Sequence, residues 1–372
     1  MERDMKRTII QYTTVVLAFL AGMIFMTYMT RMGNRDMTGD MAQAQLPVVH
    51  AEQDGVLYNE MHGYVEDMDG ASMRDSVIGV SEDHKVGLAL EKYNAQIKSV
   101  SYEVRSLDMS RLIEGGDDLQ TEDDGKYLHI SLTLKDLLTQ GEEYLLVLKV
   151  QTEDQDLVRF YSILTYLGTN HVQDCVDFAQ RFHEMTLTGD SDGVLNYLEQ
   201  DGSMDGKNLG YINIHSRSGP VTWGDMQVVE TGETSLRFTE LESDITALTM
   251  EYQVTNTETS EQYQVREAYR LRYTSTRIYL LAYERWTDKI LEPGRQLVED
   301  GKLSFGIQSS EPVYMKNTEE NVVGFVEQGQ LWSYDYGQNR LSLVYGFTDG
   351  QDGRADWKEH DFRLLKVDDT GS

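Results

Sequence analysis

Thr8 to Met29 reads TIIQYTTVVLAFLAGMIFMTYM and holds no charge. At about 1.5 Å rise per residue, a helix of that length crosses a hydrocarbon core of roughly 30 Å. The pattern therefore predicts a transmembrane helix within residues 1–30. Residues 31–45 are polar, with Gly33, Gly39 and several Met, and read as a short linker. From Leu46 the apolar period becomes two. KVGLALEKY, IKSVSYEVRSLD, KYLHISLTL, EYLLVLKVQT and LVRFYSILTY alternate, and acidic turns separate some of them, such as Glu122-Asp123-Asp124-Gly125. In YEVRSLD, Tyr102, Val104 and Ser106 oppose Glu103, Arg105 and Leu107. Strands at this spacing without long intervening helices predict an antiparallel β-sandwich, immunoglobulin-like or related, over 46–168. Lys135 to Gln140 is long enough for one helical turn.

The period changes again at Thr169. HVQDCVDFAQRFHEMTL places Val172, Cys175, Val176, Ala179 and Phe182 at helical spacing, with Thr169 or Asn170 as the expected N-cap. A shorter helix, SDGVLNYLEQ, follows the break at Gly189. Long alternating strands then return, as in Val265, Glu267, Tyr269 and Leu271 against Arg266, Ala268, Arg270 and Arg272. Two helices followed by an antiparallel sheet predict an α+β domain over 169–290. It resembles NTF2-like or cystatin-like rolls in element order, a likeness that implies no activity.

Glu292-Pro293-Gly294 marks the start of a β-rich unit over 291–372. Within it, GFVEQGQLWSYDYGQNRLSLVY (residues 324–345) resembles a blade of a TolB-type β-propeller. A strand leads into a Gln328-Gly329 turn, then Gly-x-Leu-Trp-x-Tyr-Asp over 329–335, a polar turn and another apolar strand. The glycine permits the positive φ of a tight turn, and Asp335 is placed to bond the backbone of the next one. A propeller needs several blades to cover their faces. From the ending KVDDTGS, directly after an apolar strand, the expectation is a chain that continues; the alternative is a small β appendage.

Charge bears on location. The chain carries 63 Asp/Glu against 33 Lys/Arg, a net −30. Arg3, Lys6 and Arg7 stand before the apolar run, which favours a cytoplasmic N-terminus. The acidic remainder suits an exported body and would be repelled by anionic headgroups or nucleic acid. A signal anchor is expected here. The competing reading is a cleaved signal peptide, whose nearest small-x-small site is Ala42-Gln43-Ala44. Its apolar core would exceed the usual 7–15 residues. The single cysteine, Cys175, permits no internal disulfide and reads as a small buried helix residue.

Catalytic signatures fail on inspection. His183-Glu184 opens an HExxH pattern, but Leu187 stands where the second zinc ligand belongs. The Gly202–Lys207 run is one residue short of a phosphate-binding loop. The eight His are dispersed, and 63 carboxylates form close pairs by chance. Asp201, Ser203 and Asp205 followed by Gly206 give alternating oxygen ligands and a sharp turn, the first half of a calcium loop. Ile212 then occupies the position of the bidentate Glu, and an Asp/Gly turn is the alternative. Apart from calcium, no cofactor is expected. His215, Arg217 and Trp223, in NIHSRSGPVTWGDM, suit recognition of a polar ligand or partner, against the alternative of a structural connector. Trp332, like Trp223, Tyr334 and Trp357, is a candidate interface anchor if exposed and a core residue if not.

As a whole, the chain resembles membrane-anchored extracytoplasmic proteins of Gram-positive bacteria. The features behind the likeness are Met1–Arg31, the segments at 102–114 and 213–226, and REAYRLRYTSTRIYLLAYER (266–285). The likeness implies no activity. The expectation is a non-catalytic, membrane-anchored envelope protein that binds a protein partner. The alternatives are a small-ligand binder with an open apolar cavity in 169–290, and a cell-wall hydrolase with converging carboxylates.

Overall fold

The computed structural model describes residues 14, 17–25, 46–73, 76–117, 119–135, 137–153, 157–169, 171–202, 209–294, 297–299, 302–346 and 362–368. Residues 17–25 are helical and leave Leu17, Phe19, Ile24 and Phe25 exposed. The rest of the predicted 22-residue span, Thr14 apart, lies outside the described residues. Among the described residues no helix is long and apolar enough to cross a membrane.

The fold is mainly β, in several sheets. The chain divides into two compact units. One is Ala44–Ile290 with Phe305–Glu311; the other is Met1–Gln43, Leu291–Ser304 and Pro312–Ser372.

The larger unit begins with two five-stranded sheets. The first takes β1 (Val48–Gln53), β2 (Val56–His62), β4 (Lys85–Glu91), β7 (Gln120–Asp123) and β8 (Tyr127–Thr133) in the order β2-β1-β4-β8-β7. The second takes β3 (Val77–Ser81), β5 (Ile97–Ser106), β6 (Leu112–Gly116), β9 (Glu143–Thr152) and β10 (Val158–Gly168) in the order β3-β10-β9-β5-β6. Alternation expected antiparallel pairing throughout, but β3 runs parallel to β10. The alternation expected of LVRFYSILTY does not appear as burial: β10 is buried on both faces along most of its length, as strands with parallel neighbours often are. Lys135 to Gln140 form no helix among their described residues.

Helix α1 (Val172–Leu187) follows, with α2 (Ser191–Leu195), β11 (Tyr211–Asn213), α3 (Ser218–Val221) and the long strands β12 (Val228–Leu241), β13 (Ile245–Asn256), β14 (Gln262–Tyr273) and β15 (Ile278–Lys289). The last four and β11 make an antiparallel sheet ordered β11-β15-β14-β13-β12. The N-cap of α1 is His171, which makes no side-chain cap bond. The helix buries Val172, Cys175, Val176, Phe178, Ala179, Phe182, His183 and Thr186 along one stripe.

One hydrophobic core runs from the first two sheets into this region, joining Val49, Leu88, Leu146 and Phe160 to Phe182, Phe238 and Tyr283. Asn59 locks the junction. It is fully buried with φ 53°, donates to the Val77 carbonyl at 2.7 Å and accepts from the Phe238 amide at 2.6 Å.

The smaller unit contains a hairpin of β16 (Val298–Glu299) and β17 (Lys302–Leu303). It also contains a consecutive antiparallel sheet of β18 (Val313–Lys316), β19 (Val322–Glu327), β20 (Gln330–Asp335) and β21 (Arg340–Tyr345). Gln328 and Gly329 both have positive φ, 49° and 66°, as a two-residue hairpin turn requires. Asp335 accepts from the Gln338 amide at 3.0 Å.

Candidate functional site

Burial alternates along most of β13, β14 and β15, and the inward rows are largely apolar, interrupted by Thr246, Asn256, Glu267, Arg285 and Thr287. Met250 pairs with Glu267, and Glu267 with Arg285; Tyr252 pairs with Val265, and Val265 with Thr287. Tyr252 is 1% exposed, and Glu267, Arg285 and Thr287 are 0% exposed. The backbone period leaves these side chains no choice of face, because turning Glu267 outward would turn Val265 and Tyr269 out with it. Ionised groups taken from water at this depth must find partners.

Glu267 finds three. His183 donates from Nδ1 at 3.0 Å, Tyr269 from its hydroxyl at 2.6 Å and Tyr283 at 2.8 Å. Burial pushes the Glu267 carboxyl up, but the His183 and Tyr269 bonds and the charges of His183 and Arg285 outweigh it. The group is held below the usual carboxylate range. His183 reaches the sheet because Phe182 and His183 sit on the buried stripe of α1, with the Phe182 ring 4.9 Å from Tyr283. Its other nitrogen, Nε2, lies 3.3 Å from Glu230, which is 31% exposed. A neutral imidazole has one N–H to give. Two carboxylates on two nitrogens therefore fit the imidazolium. Burial works against that charge, yet Glu267 and then Glu230 raise the His183 pKa above its ordinary value. Burial first, and then the Glu267 charge, push the phenols of Tyr252, Tyr269 and Tyr283 well up, so they remain protonated donors. The cluster holds a fixed, charge-balanced set of groups. Its path to solvent runs through Glu230.

On the neighbouring side, Arg285 donates to the carbonyls of Val221 at 2.7 Å and Pro220 at 2.9 Å. These belong to α3 and its exit, and the guanidinium lies 4.0 Å from the Trp223 ring centroid. Trp223 is 1% exposed, has φ 69° and packs against Tyr252, Val254, Tyr263 and Val265. A left-handed backbone at a bulky aromatic is strained by about 1–3 kcal/mol. Its ring stacking and the two carbonyl bonds to Arg285 offset that cost.

No family model and no curated protein matches this chain. Among solved structures, the crystal structure of CopC from Methylosinus trichosporium OB3b is similar over 29% of this chain and 99% of that one. The identity is 14% and the TM-score 0.20, and so slight a likeness carries no argument.

The residues singled out from sequence are scattered. His215 is half-buried, 2.8 Å from the Glu199 carbonyl and 3.4 Å from Asp201. This brings together one member each of the two sequence-predicted groups. Ser203 and Asp205 lie outside the described residues, as does Trp357. Arg217 is exposed at the N-cap of α3. Trp223 and, in the smaller unit, Trp332 and Tyr334 are buried, so these three rings take their core alternative. Cys175 is buried on α1, and burial pushes its thiol up.

The residues that sequence reasoning passed over are Glu230, Glu267, Tyr269, Tyr283 and Arg285. The signal was present for Glu267, which shares an alternation row with Val265, Tyr269 and Leu271. An acid in an apolar row asks for a buried partner. That the partner is His183, 84 residues away, is set by packing alone.

Proposed function

We propose that this is a non-catalytic, membrane-anchored extracytoplasmic protein of the cell envelope that binds a protein partner. The observation that supports it best is the state of the His183–Glu267 cluster. An acid or base in catalysis must come within hydrogen-bond reach of its substrate. Glu267 is 0% exposed and commits its oxygens to His183, Tyr269 and Tyr283. Such a group holds a fold together and is poorly placed for turnover.

The anchor belongs to the same proposal. The helical stretch 17–25 exposes Leu17, Phe19, Ile24 and Phe25, side chains suited to lipid. So do the finer fold readings. The first two sheets, which share a hydrophobic core, are read as an immunoglobulin-like sandwich. The five-stranded sheet with α1 is read as a cystatin-like roll, and the four-stranded sheet in consecutive order as a propeller blade. A half-open cleft of about 660 Å³ on the larger unit, lined by Lys92, Tyr93, Lys98, Asp117 and Asp123 among others, offers both charge signs to a partner.

Protease added to intact cells digests the body if this topology holds, and protection of the whole body overturns it. Crosslinking on intact cells then captures a specific envelope protein, and deleting residues 301–372 weakens the capture. Cleavage of cell-wall material by the purified body, lost on replacing a clustered carboxylate, replaces this reading with the hydrolase one.

A further inference from the structure

Four polar atoms around Trp223 have no hydrogen-bond partner among the described residues: Trp223 Nε1, Arg285 Nε, the Tyr252 hydroxyl and Thr287 Oγ1. All four residues are at most 1% exposed. They share one layer. Thr287 and Arg285 are inward neighbours on β15, and Tyr252 lies in the same cross-strand row as Thr287, with Val265 between them. Trp223 packs over Tyr252 and Val265 and stacks on Arg285. A buried polar atom without a partner loses its hydration with no return, so native proteins keep few of them. Four in one layer are groups that one small guest could satisfy together.

Their chemistry describes that guest. The indole and guanidinium N–H groups only donate, the two hydroxyls can donate, and none of the four is restricted to accepting. The Tyr252 phenol lies near the Glu267 charge and makes no hydrogen bond within bonding geometry. The nearest buried carboxylate, Glu267, is already engaged by His183, Tyr269 and Tyr283. The remaining Arg285 nitrogens are engaged by Val221 and Pro220. The guest is therefore small, rich in acceptor oxygen and drawn to the guanidinium. The strained backbone at Trp223 holds the indole over this layer, a cost of the kind that collects at ligand clamps.

We infer that the layer bounded by Trp223, Tyr252, Arg285 and Thr287 is a binding site for a small carboxylate. The site is independent of the partner-binding reading, and either can fail alone. Acetate is the probe, and chloride at equal ionic strength the control, on the full-length protein in detergent. Acetate should raise the melting temperature saturably, by about 3–5 °C at ten times its dissociation constant. Tyr252→Phe and Thr287→Val each remove one unpartnered hydroxyl and nearly keep the shape. Each variant should melt at or above the parent temperature without acetate, and each should need at least several-fold more acetate for half the shift. The inference is overturned if acetate gives no saturable shift, or if the variants respond like the parent. It is equally overturned if the variants melt lower without acetate, because the four atoms are then satisfied by ordered water and the layer is structural.

Discussion

Glu267→Gln tests whether the buried carboxylate organises the sheet and its helix. Glutamine keeps the shape and removes the charge. Its single carbonyl oxygen faces three donors, from His183 at 3.0 Å, Tyr269 at 2.6 Å and Tyr283 at 2.8 Å, while its amide adds two more hydrogens. At least one donor loses its acceptor, and a hydrogen bond to a charged group contributes about 1.5–3 kcal/mol. Arg285, the cross-strand neighbour at 0% exposure, also loses its nearest buried counter-charge. Removing one partner of a buried ion pair costs about 3–5 kcal/mol. His183 keeps Glu230, so the total belongs near that range instead of at the sum of both effects. At about 2–4 °C per kcal/mol for a unit of this size, the melting temperature falls by roughly 6–20 °C. Thermal unfolding followed by the fluorescence of Trp223 and Trp286 reads it. The folded-state pKa of Glu267 lies below its ordinary 4.5. Its contribution is therefore present above the unfolded value and lost as the pH falls through the folded one, so the gap between parent and variant must narrow in acid. A loss under about 1 kcal/mol at neutral pH, or a gap that widens in acid, refutes the account.

His183→Asn is expected to show the opposite pH trend. The raised pKa of His183 means that its ionic contribution is complete below about 6.5 and fades as the pH rises through the folded value. The variant's deficit in urea midpoint should accordingly be larger at pH 6 than at pH 9. Asn59→Ala leaves the Val77 carbonyl and the Phe238 amide without their buried partner. It should destabilise by about 2–4 kcal/mol in urea titration, and a change under about 0.5 kcal/mol would remove Asn59 as the lock of the shared core.

Much of the architecture was legible because secondary-structure period is a local property. The helix over 172–187, the long strands of 245–289 and the tight turn at Gln328-Gly329 follow from apolar spacing and from the residues that accept positive φ. The parallel pairing of β3 with β10 was not legible, because strand direction is decided between segments over 75 residues apart in sequence. The burial of Trp223 and Trp332 was equally open, since an aromatic ring gains from a core or an interface by the same physics.

The polar centre divides the two contributions most clearly. By itself the sequence put Glu267 into an apolar row, and the two-residue period of the strand compelled the side chain inward. Only the tertiary structure brought His183 from the helix and Tyr283 and Arg285 from the next strand to meet it, and Trp223 from a connecting turn onto Arg285. The physical reason is that a charge moved out of water takes whatever partners packing supplies within about 3 Å, and three-dimensional packing obeys no spacing along the chain.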